Sequence, residues 1–447
     1  MNSFFRRTLG IFRIVIPIAI VVLTLARMNS SVLAASLQFK PVGSAGALAW
    51  TNVFTNGICT VEAVSQLNGA SNSNAWQCQQ SYFATNPLGS GAASLTATQQ
   101  FVRLLAVNVS AATPAGFTNL VDSYGLLHTV AGSGNDPGTD DVNYWQASFE
   151  GGFATNAALS RPHLAMADSA ENIFIVDKNS FSVLKVTPDG RIHTVAGTHV
   201  SGNGPDTATP ALNVAMNQPN GLWVRTNGVF YVLDTGNNKV RKVDTNGVMT
   251  TLFTDSKSMS SGRGLWVRND EQLIYYCAGT DFRRWTPAGG SVTLNKQFND
   301  LGCFVLTANG TIVLTDRGGN TVWSVNTNSG SRTLLYGNGG SAEVIDGTLA
   351  ATNSLYGVRA IWIPPFGGYL LGTDEGAQFL YVDTAGIIHL LINGYQDTHA
   401  GDGQWFYSPG YKLGQMRSVT MDNNGNILIV ENDLGYVRKV DFHRLFP

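Results

Sequence analysis

The 447-residue sequence has few charged residues: Asp, Glu, Lys and Arg make up 13% of it, and the formal net charge is -2. No basic run occurs outside the N-terminus. Proteins that bind nucleic acid or anionic membranes through electrostatics carry clustered positive charge. The composition therefore argues against a nucleic-acid partner. It leaves a membrane contact only through a possible N-terminal anchor.

Motifs for common chemistry are also missing. No G-x-S-x-G nucleophile elbow, C-x-x-C pair or phosphate-binding G-x-x-x-x-G-K loop occurs. The seven histidines have no H-x-x-x-H or H-E-x-x-H spacing, and a zinc site needs three or four converging ligands. We therefore predict no catalytic, cofactor-binding or metal-binding residue and favour a role other than catalysis. Ca²⁺ or Zn²⁺ in a central channel stays open, because convergence of distant ligands is not visible in a sequence.

Cysteine is scarce, with Cys59, Cys78, Cys277 and Cys303 as the complete set. If the protein is exported, an oxidising compartment favours disulfides. Cys59 with Cys78 is the local pairing, and Cys277 with Cys303 could join adjacent repeats. The alternative for the second pair is two buried thiols, since free cysteine is among the most buried residue types.

The N-terminus has the pattern of an export signal. Three arginines precede an apolar stretch over residues 14–26, and Ala34 and Ala35 supply small residues for cleavage. The stretch is shorter than the roughly 20 residues of a membrane span, so a retained anchor is the alternative. We expect a secreted, periplasmic or cell-surface protein. Asn108 and Asn309 match the N-glycosylation pattern, which matters only in a eukaryotic secretory pathway.

Identical words recur along the rest of the chain and indicate internal repeats. Three five-residue words each occur twice: HTVAG at 128–132 and 193–197, GLWVR at 221–225 and 264–268, and VRKVD at 240–244 and 437–441.

The fullest repeat, residues 219–253, predicts four short strands separated by Asn-Gly and Asp-rich turns. Its third strand, residues 240–243, mixes β-branched and basic residues and is predicted to be half-exposed. Four strands joined by short turns make one blade of a propeller.

An acidic residue marks the junction between the second and third strands of each repeat. These positions are Asp177, Asp234, Asp281, Asp316, Asp374 and Glu431. Six positions predict six blades. Their Gly- and Asn-rich surroundings favour turn capping by the side chains over a ring of metal ligands.

At this point the chain resembles the NHL repeat family, on residues 234–244 (DTGNNKVRKVD) and 193–197 (HTVAG). The resemblance covers about residues 125–441, strongly in the second and last repeats and weakly in the middle. It implies an all-β, six-bladed NHL-type β-propeller with four-stranded blades. We expect the signal or anchor over residues 1–35, a small N-terminal region of uncertain fold over residues 36–124, and the propeller over residues 125–447.

The histidines favour a structural role. His128, His193 and His389 share one repeat phase, at the start of the fourth strand. NHL-containing peptidylglycine lyases use histidines near the channel. His163 lies at the start of one first strand, but Asn220 occupies the equivalent position in the next repeat, which departs from that pattern.

Tryptophans also recur in phase, at Trp223, Trp266 and Trp362 in first strands. Packing between blades is favoured over stacking against a sugar, because Trp is a normal packing residue where strands line a ring interior.

The repeat phase predicts how the ring closes. Residues 127–131 form a fourth-strand word before the first complete repeat, whereas the last repeat ends at Asp441 without a fourth strand. We therefore predict that residues 127–131 pair with residues 437–440, because closure removes exposed strand edges.

Long segments follow the predicted fourth strands, over residues 133–160, 198–218, 337–354 and 394–413. Loops on a rigid scaffold usually carry binding. We predict an exported NHL-repeat propeller that binds or scaffolds a protein, peptide or glycan through this loop-bearing face. The alternative is a metal-dependent propeller hydrolase or lyase, sugar-lactonase-like or peptidylglycine-lyase-like.

Overall fold

The computed structural model describes residues 19–22, 38–41, 47–51, 57–64, 77–84, 88–92, 99–110, 112–134 and 142–442. Apart from Ala19–Val22, the expected export segment lies outside these residues. The chain divides into two compact units, the first containing residues up to Ser110 with Ala115–Ser123, and the second containing Tyr124–Phe442. No helix in the described ranges is long and apolar enough to cross a bilayer.

The described residues of the first unit form seven strands and one helix. They are β1 (Ala19–Val22), β2 (Gln38–Pro41), β3 (Ala47–Thr51), β4 (Gly57–Val64), β5 (Gln77–Ala84), β6 (Leu88–Ala92), β7 (Gln99–Asn108) and α1 (Pro114–Val121). The strands form one sheet in the order β1-β7-β4-β5 and another in the order β2-β3-β6. The central strand β4 is buried from Gly57 to Ala63. The described residues of this region therefore lie mostly in two sheets.

The second unit begins with β8 (Leu126–Ala131) and continues through six successive sheets. Sheet 1 contains β9 (Pro162–Ala167), β10 (Ile173–Asp177), β11 (Ser182–Val186) and β12 (Ile192–Gly197). Sheet 2 contains β13 (Thr209–Pro210), β14 (Pro219–Val224), β15 (Phe230–Asp234), β16 (Lys239–Val243) and β17 (Val248–Thr254). Sheet 3 contains β18 (Leu265–Val267), β19 (Ile274–Ala278), β20 (Asp281–Thr286) and β21 (Gly290–Asn295).

The remaining sheets follow the same plan. Sheet 4 contains β22 (Leu301–Leu306), β23 (Ile312–Asp316), β24 (Thr321–Val325) and β25 (Arg332–Tyr336). Sheet 5 contains β26 (Val358–Trp362), β27 (Tyr369–Thr373), β28 (Phe379–Val382), β29 (Ile388–Gly394) and β31 (Tyr411–Leu413). Sheet 6 contains β8, β30 (Gln404–Trp405), β32 (Met416–Met421), β33 (Ile427–Glu431) and β34 (Tyr436–Val440).

Within each sheet the four main strands form an antiparallel meander. The first strands of consecutive sheets contact one another in the cycle β9, β14, β18, β22, β26, β32 and back to β9. Strands in such a cycle surround a central channel in β-propellers. This nearly all-β arrangement is consistent with a β-propeller.

The two ends of the second unit share one sheet. Strand β8 pairs antiparallel with β34, with Leu127 opposite Val440 and Ala131 opposite Val437. All four of these side chains are fully buried. The predicted pairing of residues 127–131 with residues 437–440 is confirmed, and β34 therefore has no open edge on that side.

The third strands are more buried than predicted. Arg241 and Arg438 have no exposed surface. Nε of Arg241 lies 2.8 Å from Asp234, and Nη1 of Arg438 lies 2.7 Å from Glu431. The expectation of a half-exposed third strand was wrong, because each arginine is neutralised by a carboxylate of its own repeat, which makes burial of its charge tolerable.

Candidate site at the channel ring

One residue in each sheet stands out at the start of the first strand. In five sheets the register between the first and second strands shifts at this residue. In sheets 1, 2, 4, 5 and 6 it is His163, Asn220, Gly302, Arg359 and Arg417, respectively. The repeat word GLWVR places Arg263 at the same position in sheet 3 as Asn220 in sheet 2. A bulge removes a residue from the ladder and re-aims its side chain. We call these six residues the channel ring.

Asp374 joins two members of the ring. Its Oδ2 atom lies 2.7 Å from Nη1 of Arg417, 3.0 Å from Nη2 of Arg359 and 2.9 Å from Nε of Arg317. Asp374 follows directly after β27, so one short side chain reaches three guanidinium groups. Its expected role as a turn cap was wrong: three guanidinium groups bind Oδ2, and Oδ1 accepts no backbone N–H.

A second carboxylate, Asp300, lies on the sheet 4 side of the ring. It is 3.7 Å from Nη1 of Arg263, 3.2 Å from Nη1 of Arg317 and 3.9 Å from Nη2 of Arg359. The ring arginines at 263 and 359 therefore converge on the same carboxylate.

Two further carboxylates complete the cluster. Asp433 lies 3.1 Å from Nη2 of Arg417 and 3.9 Å from Nε of Arg161, and Glu375 pairs with Arg317. The five arginines of this cluster thus face four carboxylates. Its formal charge is positive.

Like charges perturb one another in this cluster. The pKa of Arg417 is lowered to about 10, mainly by burial and also by the nearby charge of Arg263, while Asp433 opposes the change. Burial also lowers the pKa of Arg263. Arginine side chains stay protonated in proteins, so the positive charge is held in a confined space.

His163 is the neutral member of the ring. It is 4% exposed, and neither ring nitrogen has a hydrogen-bond partner among the described residues. Burial holds the pKa of His163 well below its usual value, and Arg263 and Arg417 lower it further. A neutral imidazole carries one N–H donor and one acceptor nitrogen, so both remain available to a ligand.

Other buried polar atoms around the ring also lack partners in the described part of the chain. They are Oδ1 of Asn220, Nε of Arg263, Nε and Nη1 of Arg359, Oδ1 of Asp374 and Oγ of Ser418. Native proteins satisfy the great majority of buried polar groups. Such a concentration around one channel indicates that a molecule from outside the chain, water or ligand, satisfies them.

Gly302 leaves the ring without a sixth side chain. A Cβ atom at this position would lie 2.4 Å from the backbone oxygen of Arg359 and 2.3 Å from Oγ1 of Thr315. Those distances are too short for any side chain, so glycine permits sheets 4 and 5 to approach closely.

Exposure rises from the ring outward. The side chains of Arg359 and Asp374 are 2% and 1% exposed, whereas that of Arg317 is 31% exposed. The long segments before β9, β14, β26 and β32 lead directly into the ring positions. The cluster therefore faces the loop-bearing end of the channel.

Three predicted acidic positions do cap backbone amides. The residue seventeen positions earlier donates its N–H to each carboxylate: Ser160 to Asp177 at 2.8 Å, Asn217 to Asp234 at 2.8 Å and Asn299 to Asp316 at 3.0 Å.

The remaining two acidic positions differ. Asp281 is the first residue of β20, and Ala278 ends the second strand of sheet 3. Asp281 therefore lies at the predicted junction, but three residues after the strand-end position that Asp177, Asp234 and Asp316 occupy. Glu431 does end its second strand but binds Nδ1 of His399 at 2.8 Å as well as Arg438.

The in-phase histidines occupy the predicted strand. His128, His193 and His389 lie opposite third-strand residues in β8, β12 and β29. Each ring pairs with a carboxylate, at 3.4 Å from Asp441, 3.1 Å from Glu150 and 3.1 Å from Asp383, respectively. They do not converge on one another, which supports their structural role.

The tryptophans of the first strands pack against the apolar cores. Trp223 and Trp362 contact the core that contains Leu222 and Val224, and Trp223 also lies 6.3 Å from Trp266 of the next sheet, measured between ring centroids. This arrangement favours packing over sugar stacking.

The cysteines separate into two groups. Cys277 and Cys303 are buried free thiols, the alternative left open above. In the first unit, β4 and β5 place Cys59 opposite Tyr82 and Cys78 opposite Glu62. The side chain of Cys78 lies outside the described residues, so the pairing of Cys59 with Cys78 stays a prediction.

The glycosylation candidates are both exposed. Oδ1 of Asn108 accepts the N–H of Ser110 at 2.9 Å, and Oδ1 of Asn309 accepts the N–H of Thr311 at 3.2 Å. Their modification stays a prediction.

Among the described residues, no group of three or more His, Cys, Asp or Glu side chains is arranged to hold a metal ion. No model of a known protein family matches the sequence, and no curated protein matches it.

Solved structures resemble the chain in fold. A Bacteroides thetaiotaomicron VPI-5482 protein of unknown function is 12% identical, with a TM-score of 0.55 over 91% of this chain and 97% of that chain. An auxiliary nutrient binding protein from Bacteroides ovatus ATCC 8483 is 13% identical, with a TM-score of 0.53 over 90% and 96%. Another, from Bacteroides thetaiotaomicron VPI-5482, is 9% identical, with a TM-score of 0.53 over 90% and 96%. At such identities the similarity shows a shared fold.

Proposed function

We propose that the chain is an exported, six-bladed NHL-type β-propeller that serves as a binding module, with its ligand received at the channel ring. The observation that carries this proposal is the set of buried polar atoms without partners around His163 and Arg359. Residues 125–447 form the propeller in this proposal, residues 36–124 form a separate N-terminal region, and residues 1–35 form the signal or anchor.

The fold part of the proposal is supported by the closed cycle of six first strands and by the recurring NHL-like words. Each of the six sheets would be one blade, and β8 would complete the last one. A propeller of this kind offers a channel mouth surrounded by loops, which is a common place for binding.

The binding part is supported by energetics. Leaving a buried donor or acceptor unsatisfied costs about 1–3 kcal/mol. A ligand that supplies partners to several ring atoms recovers part of that cost, and rigid strands hold those atoms in place before it arrives. The long loops at the same end of the channel would contact the rest of a protein, peptide or glycan partner.

Localisation is proposed on two grounds. The N-terminal sequence has the pattern of an export signal. Two of the structural neighbours are named auxiliary nutrient binding proteins. We propose a secreted, periplasmic or cell-surface location, where a binding module of this kind would meet its ligand.

The alternative, a metal-dependent hydrolase or lyase, is disfavoured by charge. Ca²⁺ and Zn²⁺ need several oxygen, nitrogen or sulfur ligands of neutral or negative charge. Three of the six ring positions carry arginine instead. Elemental analysis of the purified chain tests this alternative: one tightly held Ca²⁺ or Zn²⁺ per chain would support it.

The proposed function is tested by ligand-induced stabilisation of the full chain. Neutral oligosaccharides, peptides and organic acids are each titrated while the melting temperature is recorded for wild type and for His163→Leu. We expect at least one class to raise the melting temperature of wild type and to act more weakly on the variant. An equal response of both proteins to every active compound would contradict binding at the ring.

A further inference from the structure

We infer that the channel ring recognises an anionic group, a carboxylate or a phosphate, on its ligand. This inference rests on the proposed function and adds the chemical class of the ligand. It is carried by the donors that surround the buried end of the channel.

The donors are in excess and are already oriented. Nε and Nη1 of Arg359 have no partner among the described residues, while its Nη2 is held 3.0 Å from Asp374. Nε of Arg263 is also unpartnered, while its Nη1 donates to the backbone oxygen of Ser261 at 3.1 Å. The contacts of each guanidinium group, including those with Asp300, are made through a single nitrogen, and the unpartnered N–H groups are available to an incoming acceptor.

The charge of the site points in the same direction. Five arginines face four carboxylates there. The two most buried ring arginines, Arg359 and Arg417, share the single oxygen Oδ2 of Asp374. An added anion would compensate the excess positive charge, and charged hydrogen bonds of arginine to carboxylate or phosphate are the stronger kind.

The neutral ring members extend the donor set. His163 can donate from one ring nitrogen. It is 4% exposed, and its strand β9 contacts β32, which carries Arg417. The amide of Asn220, 2% exposed, can present its NH₂ group after rotation by 180°. These groups would orient an anion without adding charge.

The test uses calorimetric titration of the full chain with inorganic phosphate, succinate and neutral maltose, all at one ionic strength. Two ring variants are compared with wild type. Arg359→Gln removes one cation and leaves Asp374 paired with Arg317 and Arg417. Asn220→Asp adds a negative charge at constant shape and removes no hydrogen bond of Oδ1. Arg268→Gln, at a surface arginine with 46% side-chain exposure, is the matched control.

We expect phosphate or succinate to bind wild type and Arg268→Gln equally, and both ring variants to bind at least about tenfold more weakly. Phosphate alone would identify a phosphate-bearing ligand, and succinate alone a carboxylate. Equal binding of the anions by wild type and both ring variants would overturn the inference, as would no anion binding at all. Maltose binding that Arg359→Gln weakens, without anion binding, would overturn the inference and retain the proposed function.

Discussion

Asp177 and Asp234 occupy the same position in neighbouring sheets, but only Asp234 is paired with an arginine. Both carboxylates are fully buried and both accept a backbone N–H at 2.8 Å. The third residue of the third strand is Arg241 in sheet 2 and Leu184 in sheet 1. The same acidic turn is therefore neutralised in one repeat and left without a counter-charge in the next.

This difference predicts unequal costs of removing the charge. Asp234→Asn should lower the free energy of unfolding by about 3 kcal/mol, because it removes the nearer and fully buried carboxylate of Arg241 and leaves only the exposed Asp206, 3.7 Å from Nη1. Asp177→Asn should not lower it and should raise it at pH 7, because the amide oxygen can still accept the N–H of Ser160 and a buried carboxylate without a counter-charge is removed. Urea unfolding at pH 7 measures both values. Equal losses in the two variants would contradict this interpretation.

Asp177 also predicts a pH effect on stability. Burial raises the pKa of Asp177 to about 7, whereas the unfolded chain has a value of about 3.9. At pH values between these two pKa values, the carboxyl of Asp177 is protonated in the folded protein and ionised in the unfolded chain. The stabilisation that this bound proton provides is lost as pH rises through about 7.

The sign of that effect is measurable with Asp177→Asn, which cannot titrate. The difference in free energy of unfolding, wild type minus variant, should decrease between pH 5 and pH 8. A difference that is constant or that increases over this range would show that Asp177 is ionised in the folded protein.

The closing strand predicts a loss of cooperativity. Replacing Leu126–Ala131 with a Gly-Ser linker of equal length should lower the melting temperature strongly, because Tyr436–Val440 then becomes an open edge. As a matched control, the same residues are replaced by residues 191–196, whose HTVA word pairs in the same register in sheet 1. That swap should retain cooperative melting. An unchanged melting transition with the linker would refute closure by this strand.

The buried thiols predict a chemical result. Burial raises the pKa of Cys303 to about 11 and that of Cys277 higher still, and the thiol form is unreactive. Neither should be alkylated by iodoacetamide in the native protein, whereas both should be alkylated after denaturation without reductant. Peptide mapping distinguishes this from a Cys277–Cys303 disulfide, in which neither would be alkylated in either state.

The strand pattern and the closure of the ring could be predicted because each is a local repetition. Strand β8 contains the word HTVA, as β12 does, and adjacent turns fix its position in the repeat. The buried third-strand arginine was missed because VRKV resembles a strand with one solvated face. Its partner, Asp234, lies seven residues earlier, and no local pattern shows that the two side chains meet.

The channel ring was missed for a different reason. Its members come from six sheets and differ in residue type, so no word repeats at these positions. A signal did exist: Asn220, Arg263 and Arg359 each lie three residues before an in-phase tryptophan. Alignment of the repeats on those tryptophans would have placed the three side chains in one layer. The sequence could not show that Asp374 and Asp300 leave ring donors unpaired, because that depends on distances between sheets.

The most direct test of the channel ring as a binding site is anomalous diffraction from crystals of the full chain soaked in sodium bromide. We predict a bromide peak in contact with the guanidinium group of Arg359 and the imidazole of His163. Bromide at exposed arginines such as Arg268, with only water at the ring, would contradict the account.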